Sequence, residues 1–102
     1  MYFTNNKIYH VYNQGNNRQR IFFDTSEYTT FLRLYRKLLF PVADTIAWCL
    51  MPNHFHFMIF TDERCAKKVK QGGLMLDPVT NSIRKLLSSY ARIFNKKYEK
   101  TG

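Results

Sequence analysis

Two histidines one residue apart, His54 and His56, stand in the stretch Leu50-Met51-Pro52-Asn53-His54-Phe55-His56-Phe57-Met58-Ile59-Phe60. The run after Asn53 is short, apolar and rich in Phe and Ile, so it reads as a buried strand opened by a Pro-Asn turn. Side chains alternate along a strand, which puts His54 and His56 on one face with Met58 and Phe60. A rise of about 3.3 Å per residue separates their Cα atoms by roughly 6.5–7 Å. Two imidazoles at that spacing can share one divalent ion, and a sheet holds them rigidly enough to do so. The bare pair also admits a plainer reading, as two partly buried polar residues with ordinary hydrogen bonds.

The elements that must position this pair follow from patterning. Lys7 to Asn13 is aromatic and β-branched, a first strand. It runs into the polar loop Gln14-Gly15-Asn16-Asn17-Arg18-Gln19-Arg20. Asp24 with Glu27 three places on forms a helix-opening capping box. Tyr28, Phe31, Leu32, Leu34, Tyr35, Leu38 and Leu39 give the helical period that follows, and Pro41 stops it. Asp44 to Leu50 is a second strand, Met51-Pro52-Asn53 a turn, and His54 to Phe60 a third strand. A polar, glycine-containing loop covers Thr61 to Leu76. Asp77-Pro78 then supplies a cap and a proline at the first helical position. The second helix buries Ile83, Leu86, Leu87, Tyr90, Ile93 and Phe94.

The order β-α-β-β-α predicts an α+β domain of the split β-α-β, ferredoxin-like plan, an antiparallel sheet with two helices on one face and its final strand missing. Phe55, Phe57 and Ile59 then belong under the helices, and His54, His56, Met58 and Phe60 on the open face. Residues 1–102 form one domain, with no repeats or linkers.

Charge adds a partner class. Sixteen Lys and Arg against seven Asp and Glu give a net charge of +9. A small folded domain this basic suits a polyanion, nucleic acid above all. Aromatic residues make up 17% of the chain, which excludes a disordered polypeptide. No apolar stretch approaches the length of a membrane span and no export leader is present, so no membrane partner is expected. Cys49 and Cys65 give neither a disulfide framework nor a zinc spacing, consistent with a reducing cytoplasm.

Three blocks carry a resemblance. Tyr9-His10-Val11-Tyr12-Asn13-Gln14-Gly15-Asn16-Asn17-Arg18-Gln19-Arg20-Ile21-Phe22 resembles the opening of the single-tyrosine HUH transposases, in the branch of the REP-associated tyrosine transposases. Met51-Pro52-Asn53-His54-Phe55-His56 is similar to their His-hydrophobic-His motif with its Met-Pro-Asn lead, and Ser89 to Tyr98 resembles their second-helix segment. The resemblance implies DNA transposition by nicking and rejoining single-stranded DNA. In such enzymes His54 and His56 would hold a divalent cation, Mg²⁺ or Mn²⁺, that polarises the scissile phosphate. A tyrosine would attack, leaving a 5′-phosphotyrosine and a free 3′-OH.

The chain departs from that family in one respect. The family's nucleophilic tyrosine and third metal ligand lie on a further helix after a fourth strand, and none of the seven tyrosines here matches that position. Tyr90 lies on the apolar stripe of the second helix and Tyr98 near its end. The expectation is a truncated transposase that binds DNA, and a metal weakly, without cleaving alone.

For DNA contact the loop offers Asn16, Asn17, Arg18 and Arg20, whose guanidiniums can grip phosphate or stack on unpaired bases. Lys85, Arg92 and Lys96 form a basic stripe on the second helix. Expected partners are single-stranded or hairpin DNA and a second copy paired through the exposed sheet edge. His10 falls near the pair, as a partly buried residue or as a support to a metal ligand. The alternative is a noncatalytic nucleic-acid-binding module of RNA-recognition-like fold, stacking bases on Tyr12, Phe55 and Phe57. The Gly-aromatic-x-aromatic pattern of such modules is absent from the third strand.

Overall fold

A computed structural model describes residues 2–15 and 19–98. Asn16, Asn17 and Arg18 lie outside the described residues. The described residues form a mixed α+β architecture, with two helices and antiparallel sheets of three and two strands.

Strand β1 (Ile8–Gln14), helix α1 (Thr25–Leu39), strand β2 (Asp44–Met51) and strand β3 (His54–Phe60) follow one another within a residue of their expected bounds. The three strands order as β1-β3-β2, so the histidine strand is central and antiparallel to both neighbours. The register sets Tyr12 and Cys49 on either side of His56, and Gln14 and Met51 on either side of His54. A bulge between Thr45 and Ala47 interrupts β2 at its start.

The alternation of β3 divides as its sequence requires. Phe55, Phe57 and Ile59 are 3%, 2% and 1% exposed, and pack against Phe31, Tyr35 and the rest of the core. His54 and His56 are half-buried and Met58 exposed on the opposite face. Burying three such side chains contributes roughly 1.5–3 kcal/mol each, which fixes the register: a slip of one residue would exchange the faces.

Both helix starts form as their capping residues dictate. The Asp24 carboxylate accepts from the backbone N–H groups of Ser26 and Glu27, and Glu27 accepts from that of Asp24. Asp77 caps helix α2 (Pro78–Lys97), accepting from Thr80 N–H at 2.8 Å and from Phe3 N–H at 3.0 Å. Phe22, buried completely, bridges the two helices through Phe31 and Tyr90.

Two expectations are corrected. Residues 61–76 are not an irregular loop: Glu63–Ala66 makes a 3₁₀ turn, and strands β4 (Val69–Gln71) and β5 (Leu74–Leu76) form a hairpin. Its two-residue turn, Gly72-Gly73, has φ of +57° and +88°, the positive pair that a type I′ connection needs and glycine supplies without strain. Ile93 remains 45% exposed at the margin of the α2 stripe, whereas Val79 at the helix start is fully buried. Cys49 in β2 is exposed, and Cys65 in the 3₁₀ turn is buried. Among the described residues no helix is long and apolar enough to cross a membrane.

Candidate metal and nucleic-acid site

The turn that precedes His54 is also the anchor of the arginine-bearing loop. Gly15 N–H donates to the Asn53 carbonyl at 2.9 Å, and Ile21 N–H to the Pro52 carbonyl at 2.8 Å. Both feet of the loop are thus tied to Pro52-Asn53. A Cβ on Gly15 would stand 2.3 Å from the Gln19 carbonyl oxygen, so only glycine allows the loop to close this tightly. The first and second sequence blocks are one structural unit.

On the open sheet face three imidazoles gather. The His54 and His56 ring centres are 4.9 Å apart at 90°. Nδ1 of His54 lies 2.7 Å from Asn53 Oδ1, an acceptor, so Nδ1 donates there and the neutral ring has its lone pair on Nε2. Nδ1 of His56 lies 2.8 Å from Nε2 of His10. The His10 and His56 rings are near-parallel, 14° apart. His10 is therefore exposed and bonded directly to His56, rather than partly buried in an ordinary setting. Partial burial, followed by the neighbouring His10 and His54 rings, lowers the pKa of His56 below its ordinary value. That shift favours the neutral imidazole, the form in which a ring nitrogen can bind a cation.

The two histidines line an open cavity of about 440 Å³ with Tyr12, Asn13 and Gln14. Tyr12 is 68% exposed, and its ring lies 26° from the plane of His56 with centres 6.0 Å apart. Among the described residues no group of three or more His, Cys, Asp or Glu side chains is arranged to hold a metal. The donor set nevertheless fits a divalent ion bound by two nitrogens: both rings face one cavity and their Nδ1 positions are already engaged. Gln14, opposite His54 in register, lines the same cavity, and its amide would be available to such an ion. Imidazole favours Mn²⁺ over Mg²⁺ in this setting.

The other candidates are more dispersed. Arg20 is exposed but turned onto its own chain: Nε donates to the Phe22 carbonyl at 3.3 Å, and the guanidinium lies 5.0 Å from the centre of the Phe23 ring. It borders a cleft between the loop and α2 that Asn13 shares with the histidine cavity. Lys85, Arg92 and Lys96 are exposed on α2, in the helical layer, with the sheet between them and the histidines. The fold thus does not bring the helix stripe together with the imidazole pair.

The tyrosines of α2 are engaged elsewhere. Tyr90 is buried and its hydroxyl donates to the Ile21 carbonyl; burial, then the charge of Glu27, pushes its pKa far above the ordinary range. Tyr98 caps the helix and donates to Glu27 Oε1 at 2.8 Å, and its pKa is raised by burial and by that bond. A nucleophilic phenol needs the opposite shift. Glu27 itself, 4% exposed, also receives Lys97 and the Phe23 N–H. This clamp joins the start of α1 to the end of α2, and its partners lie 70 residues apart. No local pattern in the sequence announces it.

The RNA-recognition alternative loses two of its three stacking residues, because Phe55 and Phe57 face the core. No protein-family model, curated protein or solved structure matches the chain.

Proposed function

We propose that this chain carries the metal-binding and DNA-binding portion of a single-tyrosine HUH transposase, acting on single-stranded or hairpin DNA. The observation that carries this reading is the imidazole pair, with both Nδ1 atoms engaged, both rings facing one open cavity, on a domain of net charge +9. Two further features support it. The strand order β1-β3-β2 is the one the first three strands of a ferredoxin-like split β-α-β sheet adopt. The loop block and the His-x-His block, separate in sequence, are hydrogen-bonded to each other.

When bound, Mg²⁺ or Mn²⁺ supplies Lewis-acid polarisation of a phosphodiester oxygen. His54 and His56 would hold the ion, each with its Nδ1 already engaged. As neutral ligands they leave its positive charge undiminished. Tyr12 offers an exposed ring beside the site on which an unpaired base stacks. The arginine-bearing loop, rooted on the Pro52-Asn53 turn, carries the charge to grip phosphates beside the site. Tyr90 and Tyr98 serve packing and the Glu27 clamp, so neither is the nucleophile; with none of the seven tyrosines at the family's position, this polypeptide is expected to bind DNA without cleaving it.

The exposure of Tyr12 equally favours a noncatalytic module that stacks bases on the open face and has no use for a metal. Binding of a fluorescent single-stranded hairpin DNA with and without Mn²⁺ separates the two. The transposase reading expects Mn²⁺ to strengthen binding, the increment to vanish in the His54→Ala/His56→Ala variant, and no covalent protein–DNA adduct to form. Binding indifferent to both Mn²⁺ and the double substitution would replace it with the stacking module. A covalent adduct would show that a tyrosine of this chain is the nucleophile after all.

A further inference from the structure

We propose that His10 is a positioning residue for the metal site: its Nε2 accepts the Nδ1 proton of His56, which fixes that ring and leaves His56 Nε2 bare toward the cavity. The inference deepens the metal reading above and rests on it for its purpose, though not for its geometry.

His54 and His56 are supported in parallel ways. Each has its Nδ1 engaged at hydrogen-bond distance, 2.7 Å to Asn53 Oδ1 for His54 and 2.8 Å to His10 Nε2 for His56. For His54 the direction is set, because an amide oxygen only accepts. For His56 two directions are chemically open, with opposite consequences. If His10 donates, His56 carries its own proton on Nε2 and that atom cannot hold a cation. If His56 donates, its Nε2 lone pair faces the cavity it lines with His54. Only the second direction gives the pair two equivalent donors. It requires His10 to carry its proton on Nδ1, away from His56. The near-parallel rings, 14° apart, suit an in-plane N–H···N bond. Metal-bound histidines generally give their second nitrogen to such a partner, which sets tautomer and ring orientation together.

His10 comes from β1, on the diagonal from His56 across the sheet: its own register partner is Met58, while His56 stands opposite Tyr12. The first strand therefore contributes to the site through a residue that need not touch the ion. His10 is exposed, so its replacement removes the hydrogen bond without opening the core.

Long-range ¹H–¹⁵N NMR of the imidazoles, on the full chain without metal and above neutral pH, reads the tautomers directly. His54 and His56 are both expected to carry the proton on Nδ1. In His10→Phe, which keeps a ring but no acceptor, His56 should shift toward the Nε2–H form while His54 stays unchanged. In His10→Gln, whose side-chain oxygen can accept, the Nδ1–H form of His56 should return. Mn²⁺ affinity should fall roughly ten- to a hundredfold in the Phe variant and recover in the Gln variant. An Nε2–H His56 in the unsubstituted protein, or a His56 tautomer indifferent to His10→Phe, overturns the assignment. Tautomers as expected with no Mn²⁺ binding at all would leave His10 as the residue that orients His56, and would refute the metal reading instead.

Discussion

The two faces of the three-stranded sheet use alternate residues of the same strand for opposite purposes. On β3, Phe55, Phe57 and Ile59 are almost fully buried among Phe31, Tyr35 and the helices. His54, His56 and Met58, their immediate neighbours, face an open surface with His10 and Tyr12. The covered face supplies the free energy that holds the strand still. The open face, whose residues contribute little to stability, presents imidazoles at a spacing that the covered face enforces. Stability and chemistry are thus separated residue by residue, a consequence of the twofold period of a strand.

Substitutions on the two faces should therefore behave oppositely. The largest effect belongs to Phe57→Ala, which empties a site packed by Phe31 and Tyr35 and should cost about 3–5 kcal/mol in urea unfolding. A loss under about 1 kcal/mol would mean that the helices do not pack on this face as described.

Gly15→Ala strikes the seam between the faces, where the loop leaves β1 and meets the Pro52-Asn53 turn. With backbone oxygen 2.3 Å from the new Cβ, the loop must shift, at a cost of about 1–3 kcal/mol. The amide signals of Asn53 and His54 should move in the same variant.

Acid should act on the covered side first, through the helix clamp. Burial by itself raises the pKa of Glu27, but Lys97, the Phe23 N–H and the Tyr98 hydroxyl outweigh it and hold it below the ordinary 4.5. With the folded pKa below the unfolded one, the stabilisation is complete above about pH 4.5 and is lost as pH falls through the depressed value. Glu27→Gln should be less stable than the unsubstituted protein at neutral pH by about 1–3 kcal/mol, with the gap closing on acidification. A gap constant with pH would assign the clamp to packing rather than charge.

The smallest effect on stability should come from the open face. His54→Ala and His56→Ala should each change unfolding by no more than about 0.5 kcal/mol while removing Mn²⁺-dependent DNA binding. Destabilisation comparable to Phe57→Ala would mean that the histidines belong to the core.

The strands, helices and caps were legible because each depends on nearby residues: a period of two in β3, a period near 3.6 in the helices, and Asp24 and Asp77 at their starts. The facing of His54 and His56 was legible for the same reason. What was not legible is non-local or lies at the edge of a pattern. The β4–β5 strands are three residues each, too short for periodicity, although Gly72-Gly73 between them is a hairpin signal. The His10–His56 bond depends on antiparallel register across 46 residues, and the Glu27 clamp on the angle at which α2 crosses α1. Arg20 carries the right charge for phosphate, but its path back along Phe22 and Phe23 is set by the loop's closure, which composition does not encode.

On the function proposed above, the open face binds a divalent cation at His54 and His56. Residue-resolved paramagnetic broadening by substoichiometric Mn²⁺ tests it most directly. The ring signals of His54 and His56 should broaden first, those of Tyr12 and His10 next, and those of Phe94 and Tyr98 on the helical layer last. Broadening that spares both histidines, or that spreads evenly over the acidic side chains of the surface, would contradict it.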